Sequence, residues 1–419
     1  MLVPLPPHGF LSTQPALPIR RNTALLSASL AANSAMLQLS AAVASITLVL
    51  VLDVEGLLGL GPAIVLASGA LAALPAGRAM DRVGRVPVLA AGYVTGAAGC
   101  GLAALGSATE SAPVVLAGLA GVGAASGVAL LARTAAGDMY PPERRARGIA
   151  LVLFGAVFGA LLGPAVFSPL LAGRDLDGDA LVPLWLAAGA IMLVGLALVA
   201  AVRPDPRRIA ALISPADEHE SSPAAPLAEL LRRPGVIPSL LAAQASFAVM
   251  VALMTLTGAV VVDHHGHAGH NVFPIIGAHV IGMYALVIVV GDLIDRIGRT
   301  PALGGGLLIM MASAISLVWI ESVPAISISL FGLGLGWNFS FVAATAELAD
   351  RTRPAERGKL LGFNDLLSGA TGAALALMGG LALSEIGVAA LAIGGAVLVA
   401  TPAVWILRGW RRVAVQPTR

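Results

Sequence analysis

The sequence predicts an all-α membrane protein made of two related six-helix halves, twelve transmembrane helices in all. Three observations predict it. Of 419 residues, 58% are hydrophobic and only 11% charged, a balance too apolar for a water-facing surface. Twelve apolar runs each approach the roughly 20 residues that cross the hydrocarbon core at 1.5 Å rise per residue. Finally, the segment Gly77-Arg78-Ala79-Met80-Asp81-Arg82-Val83-Gly84-Arg85-Val86-Pro87 returns 214 positions later as Gly291-Asp292-Leu293-Ile294-Asp295-Arg296-Ile297-Gly298-Arg299-Thr300-Pro301, with Gly, Asp, Arg, Gly, Arg and Pro in register. Repetition at half the chain length marks a duplicated membrane bundle.

The elements follow in order. Residues 1–22 are proline-rich, lack a signal-peptide core and place Arg20 and Arg21 ahead of the first run, so they read as a tail. The first half, 23–202, holds spans near 23–51, 57–76, 86–107, 113–136, 147–172 and 181–202. Residues 203–235 form a polar linker with a short helix expected around Leu227 to Leu231. The second half, 236–407, holds spans near 236–261, 272–293, 301–320, 324–349, 358–380 and 386–407, and 408–419 form a second tail. Aromatics are only 4% and glycines number 49, which suits close packing of helices through small residues in lipid.

Charge sets the orientation. The arginines at 78–85, 144–147, 203–208, 232–233, 296–299 and 351–357, with Lys359, fall on one side together with both termini. The opposite loops carry Asp53, Glu55, Glu110, Asp175, Asp177, Asp179, Asp263, Glu321 and Glu385, with Arg174 their one clear basic residue. The arginine side is therefore expected to be cytoplasmic. Arginine outnumbers lysine 24 to 1, which points to a GC-rich bacterial genome and hence a bacterial plasma membrane. A net charge of +2 with scattered basic residues excludes a nucleic-acid face. Cys100 is the single cysteine, so neither an intrachain disulfide nor a cysteine metal site can form.

Each repeated segment joins two helices by a tight turn that glycine permits and proline helps to leave. Its aspartate calls for a helix N-terminus or an arginine as partner. A second repeat supports the duplication: Pro142-Glu143-Arg144-Arg145-Ala146-Arg147-Gly148 is similar to Pro354-Ala355-Glu356-Arg357-Gly358 at a spacing of 210 residues.

The G-x-x-x-D-R-x-G-R-x-P turn resembles the cytoplasmic loop between the second and third helices of major facilitator superfamily transporters. The resemblance covers nearly the whole chain and implies the major facilitator fold, with alternating access between two rocking halves. It also implies a cytoplasmic gate formed by Gly77, Asp81, Arg82, Gly84 and Arg85, with Asp295, Arg296 and Arg299 in the second copy. In the fifth span, Gly155, Gly159 and Gly163-Pro164 resemble the G-x-x-x-G-P element of drug-proton antiporters, although Phe167-Ser168 replace the trailing glycines and helix packing alone also explains the pattern. The arginine those antiporters carry early in the fourth span is Ala117 here, and Arg133 near that span's end is read as snorkelling.

Ionisable groups inside spans are functional candidates, because each costs at least ~2.5 kcal/mol at the bilayer centre. Asp365 is the preferred proton carrier; the competing reading is a helix-start charge paired with an arginine. Glu347 belongs to a boundary network with Arg351, and His279 either titrates or bonds a neighbouring helix. Asn33, Gln38, Gln244, Trp337, Asn338 and Asn364 are the cavity candidates. The loop Asp263-His264-His265-Gly266-His267-Ala268-Gly269-His270 has zinc or copper ligands but no second cluster, so it reads as solvated and no bound metal is expected. His219-Glu220 lacks the second histidine of H-E-x-x-H, the glycine runs carry no phosphate-loop lysine, and neither an enzyme nor a cofactor is expected.

The expected function is proton-driven export of a small amphiphilic or hydrophobic compound by a monomer, with protons, that small molecule and the lipid bilayer as partners. Uptake by symport, or a non-transporting receptor or metal sensor, are the alternatives.

Overall fold

The computed structural model describes residues 17–52, 60–159, 178–213, 224–259, 272–385 and 387–414, and the described residues form helices and short connections with no strand. Each of the twelve expected runs contains described helix, and the described part of the fifth ends at Gly159. The first half comprises α1 (Ile19–Leu52), α2 (Leu60–Val83), α3 (Arg85–Ala108), α4 (Ala112–Leu130) continued by α5 (Ala132–Asp138), α6 (Arg145–Leu153) and α7 (Gly178–Ala200). Two short helices, α8 (Pro206–Ile213) and α9 (Leu227–Arg232), lie in the connection. The second half comprises α10 (Val236–Ala259), α11 (Val272–Val280), a π-helical segment (Ile281–Ala285), α12 (Val287–Ile297), α13 (Arg299–Ser316), α14 (Val323–Asp350), α15 (Pro354–Glu385) and α16 (Val388–Ala414).

Among the described residues seven helices are long and apolar enough to cross a membrane alone, and Ile275–Ala285 with Val287–Ile297 forms an eighth span bent by 46°. The bend falls at the π-helical segment, where an i→i+5 turn interrupts the regular ladder.

The repeated charged segments are not loops. Helix α2 runs through Gly77, Asp81 and Arg82 to Val83, and Gly84 alone separates it from α3. Gly298 alone separates α12 from α13 in the same way. Both glycines have positive φ, 104° and 93°, a region that a Cβ makes costly. The turn is thus compressed into one residue, so the motif side chains project from rigid helix ends.

The halves meet along two seams, α2 on α15 and α6 on α12. Exchanging the halves converts the second-span to eleventh-span seam into the eighth-span to fifth-span seam, as a pseudo-two-fold requires. A Cβ on Gly77 would collide with the Gly358 carbonyl, so glycine is what allows α2 and α15 to touch backbone to backbone.

Candidate functional site

At the arginine face each half holds the other by its helix N-terminus. Asp81 accepts hydrogen bonds from the backbone N–H groups of Gly358 (2.9 Å) and Lys359 (2.7 Å) at the start of α15. Asp295 accepts from those of Ala146 (3.2 Å) and Arg147 (2.9 Å) at the start of α6. Ala146 and Arg147 lie in the first turn of α6, where N–H groups lack partners within the helix, and a carboxylate near either helix start also meets its positive end. Arg85 Nη1 lies 2.9 Å from Asp81, and Arg299 Nη1 2.9 Å from Asp295.

Two acids that sequence reasoning passed over complete the network. Asp138, at the end of α5, accepts from Arg85 Nε (2.7 Å) and from Arg357 Nη1 (2.7 Å) of the opposite half. Asp350, at the end of α14, accepts from Arg299 Nε (3.1 Å) and from Arg145. Arg85 Nη2 donates to the Pro354 carbonyl and Arg299 Nη2 to the Pro142 carbonyl. Arg145 and Arg357 donate Nε to the carbonyls of Gly137 and Ala349, each at 3.1 Å.

This geometry corrects the spacing of the second repeat. Pro142 corresponds to Pro354, Arg145 to Arg357 and Asp138 to Asp350, 212 residues apart rather than 210. The pattern D-x-x-x-P-x-x-R at 138–145 and 350–357 was the available signal; aligning on Gly148 and Gly358 hid it. Arg82 and Arg296, expected in the gate, are exposed and stand outside the latch. Arg82 contributes its backbone carbonyl, to Arg207 (2.9 Å).

Around Glu356 the linker is clamped to the second half. Its carboxylate accepts from Arg233 (2.7 and 3.1 Å), Arg353 (2.6 Å) and the Ala225 N–H (3.1 Å). With 32 residues, α15 is about 48 Å long, which leaves this first turn outside the bilayer. Burial works to raise the Glu356 pKa, but the bonds from Arg233, Arg353 and Ala225 outweigh it and hold it at about 2.

Between the halves lies a cavity of about 260 Å³ lined from both sides. Asn33, Ser34 and Ser126 supply polar groups from the first half, and Phe247, Tyr284, Trp337, Phe341, Asp365 and Ser368 line it from the second. Trp337 and Phe341 stack with centroids 4.6 Å apart and planes at 15°, and Tyr284 meets Trp337 edge-on at 5.9 Å. One helical turn separates Trp337 from Phe341, which puts both rings on one face.

At the base of this aromatic wall, Arg133 donates Nη2 to Asp365 across the two halves. Arg133 is 0% exposed and Asp365 8%. The guanidinium also sits 4.6 Å over the Phe341 ring, a cation–π contact. Arg133 therefore does not snorkel; a partner 232 residues away draws it inward. Arg133 Nε and Nη1, Asp365 Oδ2 and Trp337 Nε1 are buried without a hydrogen-bond partner among the described residues. Of these, Asp365 and Trp337 line the cavity, where such atoms are ready to bind cargo or water.

The remaining candidates sort by position. Asn33 accepts from Ser126 (3.4 Å) in the cavity wall. Asn364 donates to Asp365 (3.3 Å) and accepts from Gln244 (3.1 Å), which accepts from Thr371 (3.3 Å), so a polar chain backs the acid. Asn338 is buried but absent from the cavity lining, and Gln38 is exposed and absent from it too. His279 Nδ1 bonds the Leu330 carbonyl (3.0 Å) on α14, and Glu347 pairs with Arg351 (2.7 Å). Gly155 and Gly159 pack so tightly on α1 that a Cβ on either would strike the Ser27 or Ala31 carbonyl. Gly163, Pro164 and the 263–270 histidine loop lie outside the described residues.

With this geometry in place, comparison with known proteins is decisive for the family. The profile of the Major Facilitator Superfamily matches residues 23–376. The chain belongs to the major facilitator superfamily. An uncharacterized MFS-type transporter of Bacillus subtilis, YdeG, is 32% identical over 357 residues, covering 83% of this chain and 82% of that protein. The riboflavin transporter RfnT of Brucella anthropi is 32% identical over 324 residues, covering 76% and 78%. Among solved structures, the Escherichia coli fucose:proton symporter FucP superposes with a TM-score of 0.74 at 16% identity, covering 96% of this chain and 99% of that one. The human organic anion transporter MFSD10 gives 0.74 at 16% identity, covering 93% and 100%. At that identity the likeness shows the fold. This major facilitator protein is a multi-pass membrane transporter whose halves are latched together at the arginine face.

Proposed function

We propose that this transporter exports a small, planar amphiphilic compound in exchange for protons, acting as a monomer with the arginine face in the cytoplasm of a bacterial cell. The observation that carries the reading is the Arg133–Asp365 pair beneath the aromatic wall, with one carboxylate oxygen uncommitted. A proton on Asp365 removes the charge that attracts Arg133 across the halves; its departure restores the pair. Protonation thereby alters the cohesion of the two halves at the cavity, which is what coupling by alternating access needs. Stacked Trp337 and Phe341 favour a flat ring, and the indole N–H of Trp337, without a partner among the described residues, favours an acceptor group on it.

Outward direction rests on the antiporter-like glycine element of the fifth span. Uptake is the second reading, supported by the riboflavin transporter of Brucella anthropi as a relative. Proteoliposome flux under an imposed pH gradient separates them: export coupling moves cargo against the proton flow, uptake moves it with the flow. Flux indifferent to the gradient would remove proton coupling altogether.

A further inference from the structure

A groove of about 1010 Å³ lies at the arginine face, and the transport cycle described above makes no use of it. Its rim carries Arg203, Arg207 and Arg208 from the connection, beside Val83 and Val86 of the first half, with Arg353 and Pro354 of the second half also in the lining. Arg203 and Arg208 are exposed. Asp205 is the one acid in the lining, and its oxygens are committed to the N–H groups of Val86 (2.9 Å) and Arg207 (2.8 Å). The walls below the arginines are apolar, including Val86, Ala90 and Ala200.

A second observation points to lipid. Helix α8, which carries Arg207 and Arg208, buries Ile209 and Ala210 against the bundle while Leu212 remains 66% exposed. Beside it Val83, at the end of α2, is 62% exposed. Basic and apolar residues sharing one short helix at a span's end fit an element lying in the headgroup layer. Fixed cations over an apolar wall match a phosphate head carrying acyl chains.

We propose that this groove binds the phosphate headgroup of an anionic phospholipid from the adjoining leaflet, and that occupancy holds the halves together at the arginine face. The groove draws its walls from both halves, so a ligand filling it is bound more tightly when the latch is closed and must favour that state. Pro354 already accepts from Arg85 within the latch, which places the ligand beside it.

The test uses the full-length protein in phosphatidylcholine nanodiscs titrated with phosphatidylglycerol, read by native mass spectrometry and by spin labels at positions 82 and 296. Arg203→Gln/Arg208→Gln should bind phosphatidylglycerol about thirtyfold more weakly, each arginine beside an anionic headgroup contributing about fivefold. Arg203→Lys/Arg208→Lys should stay near wild type. Phosphatidylglycerol should shift the label distance toward its shorter population in wild type and leave the Gln variant unchanged. Undiminished binding by the Gln variant would overturn the site. Inorganic phosphate displacing the lipid at equal concentration would overturn the lipid assignment, and an unmoved label distance would overturn the bridging role.

Discussion

Arg133 of the first half and Asp365 of the second form an ion pair across the molecular seam, one partner 0% and the other 8% exposed, at the base of the central cavity. Removing one partner of such a pair strands the other charge. Asp365→Asn should therefore destabilise the protein by about 3–5 kcal/mol, whereas the double replacement Arg133→Leu/Asp365→Leu should recover much of that loss. Thermal melts of the purified variants check the stability ordering. Cargo flux driven by a pH gradient should vanish in both; coupled flux retained by Asp365→Asn would refute the proton-carrier role.

Asp81 and Asp295 close the arginine face in opposite directions. Each makes charge-assisted bonds to two helix-start N–H groups, and such bonds contribute about 1.5–3 kcal/mol apiece. Asp81→Asn and Asp295→Asn should both lengthen the distance between spin labels at 82 and 296. The Asp81 change should act more strongly, because Arg85 is sealed at 0% side-chain exposure while Arg299 is at 10%.

Gly77 gives a steric version of the same experiment. Gly77→Val would place side-chain atoms in the Gly358 backbone, so α2 and α15 could not close. The variant should fold, since α2 keeps its packing on α4, yet populate only the state open at the arginine face. Cysteine accessibility along the α2–α15 seam reports this directly.

Trp337→Ala should weaken cargo binding by about two- to tenfold, the range of an aromatic stacking contact, while leaving the maximal rate within twofold. Initial-rate measurements over a range of cargo concentration test it. A collapse of the maximal rate with unchanged affinity would assign Trp337 to packing instead.

The linker clamp should be acid-sensitive. Glu356 has a pKa of about 2 in the folded protein against 4.5 for the free group. Its stabilisation is therefore complete above about 4.5 and is lost as the pH falls toward 2. Protection of the Ala225 amide against hydrogen exchange should decline through that window and be absent at all pH values in Glu356→Ala.

The all-helical membrane fold, the duplication and the paired carboxylates Asp81 and Asp295 were legible because each is written locally: apolar length, glycine next to proline, a carboxylate at a helix end. Within the site, Asp365, Trp337 and Asn33 stood out as polar or amphipathic residues in apolar runs. Gln38 stood out for the same reason and is exposed, since polarity does not say which helix face a residue occupies. The roles of Asp138 and Asp350 escaped notice because charges at helix ends are ordinary until their partners are known.

The sequence by itself determined that this chain is two copies of a six-span unit, one charged end toward the arginine side, each copy with a carboxylate poised for a helix start. Spacing and hydropathy suffice for that, being properties of short segments in lipid. Only the tertiary structure decided the pairings. Arg357 reaches Asp138 across 219 residues and Arg133 reaches Asp365 across 232, and both are contacts between separately formed halves. The cost of leaving a charge alone in a low-dielectric interior explains why each residue has a partner; the packing of one half on the other chooses which.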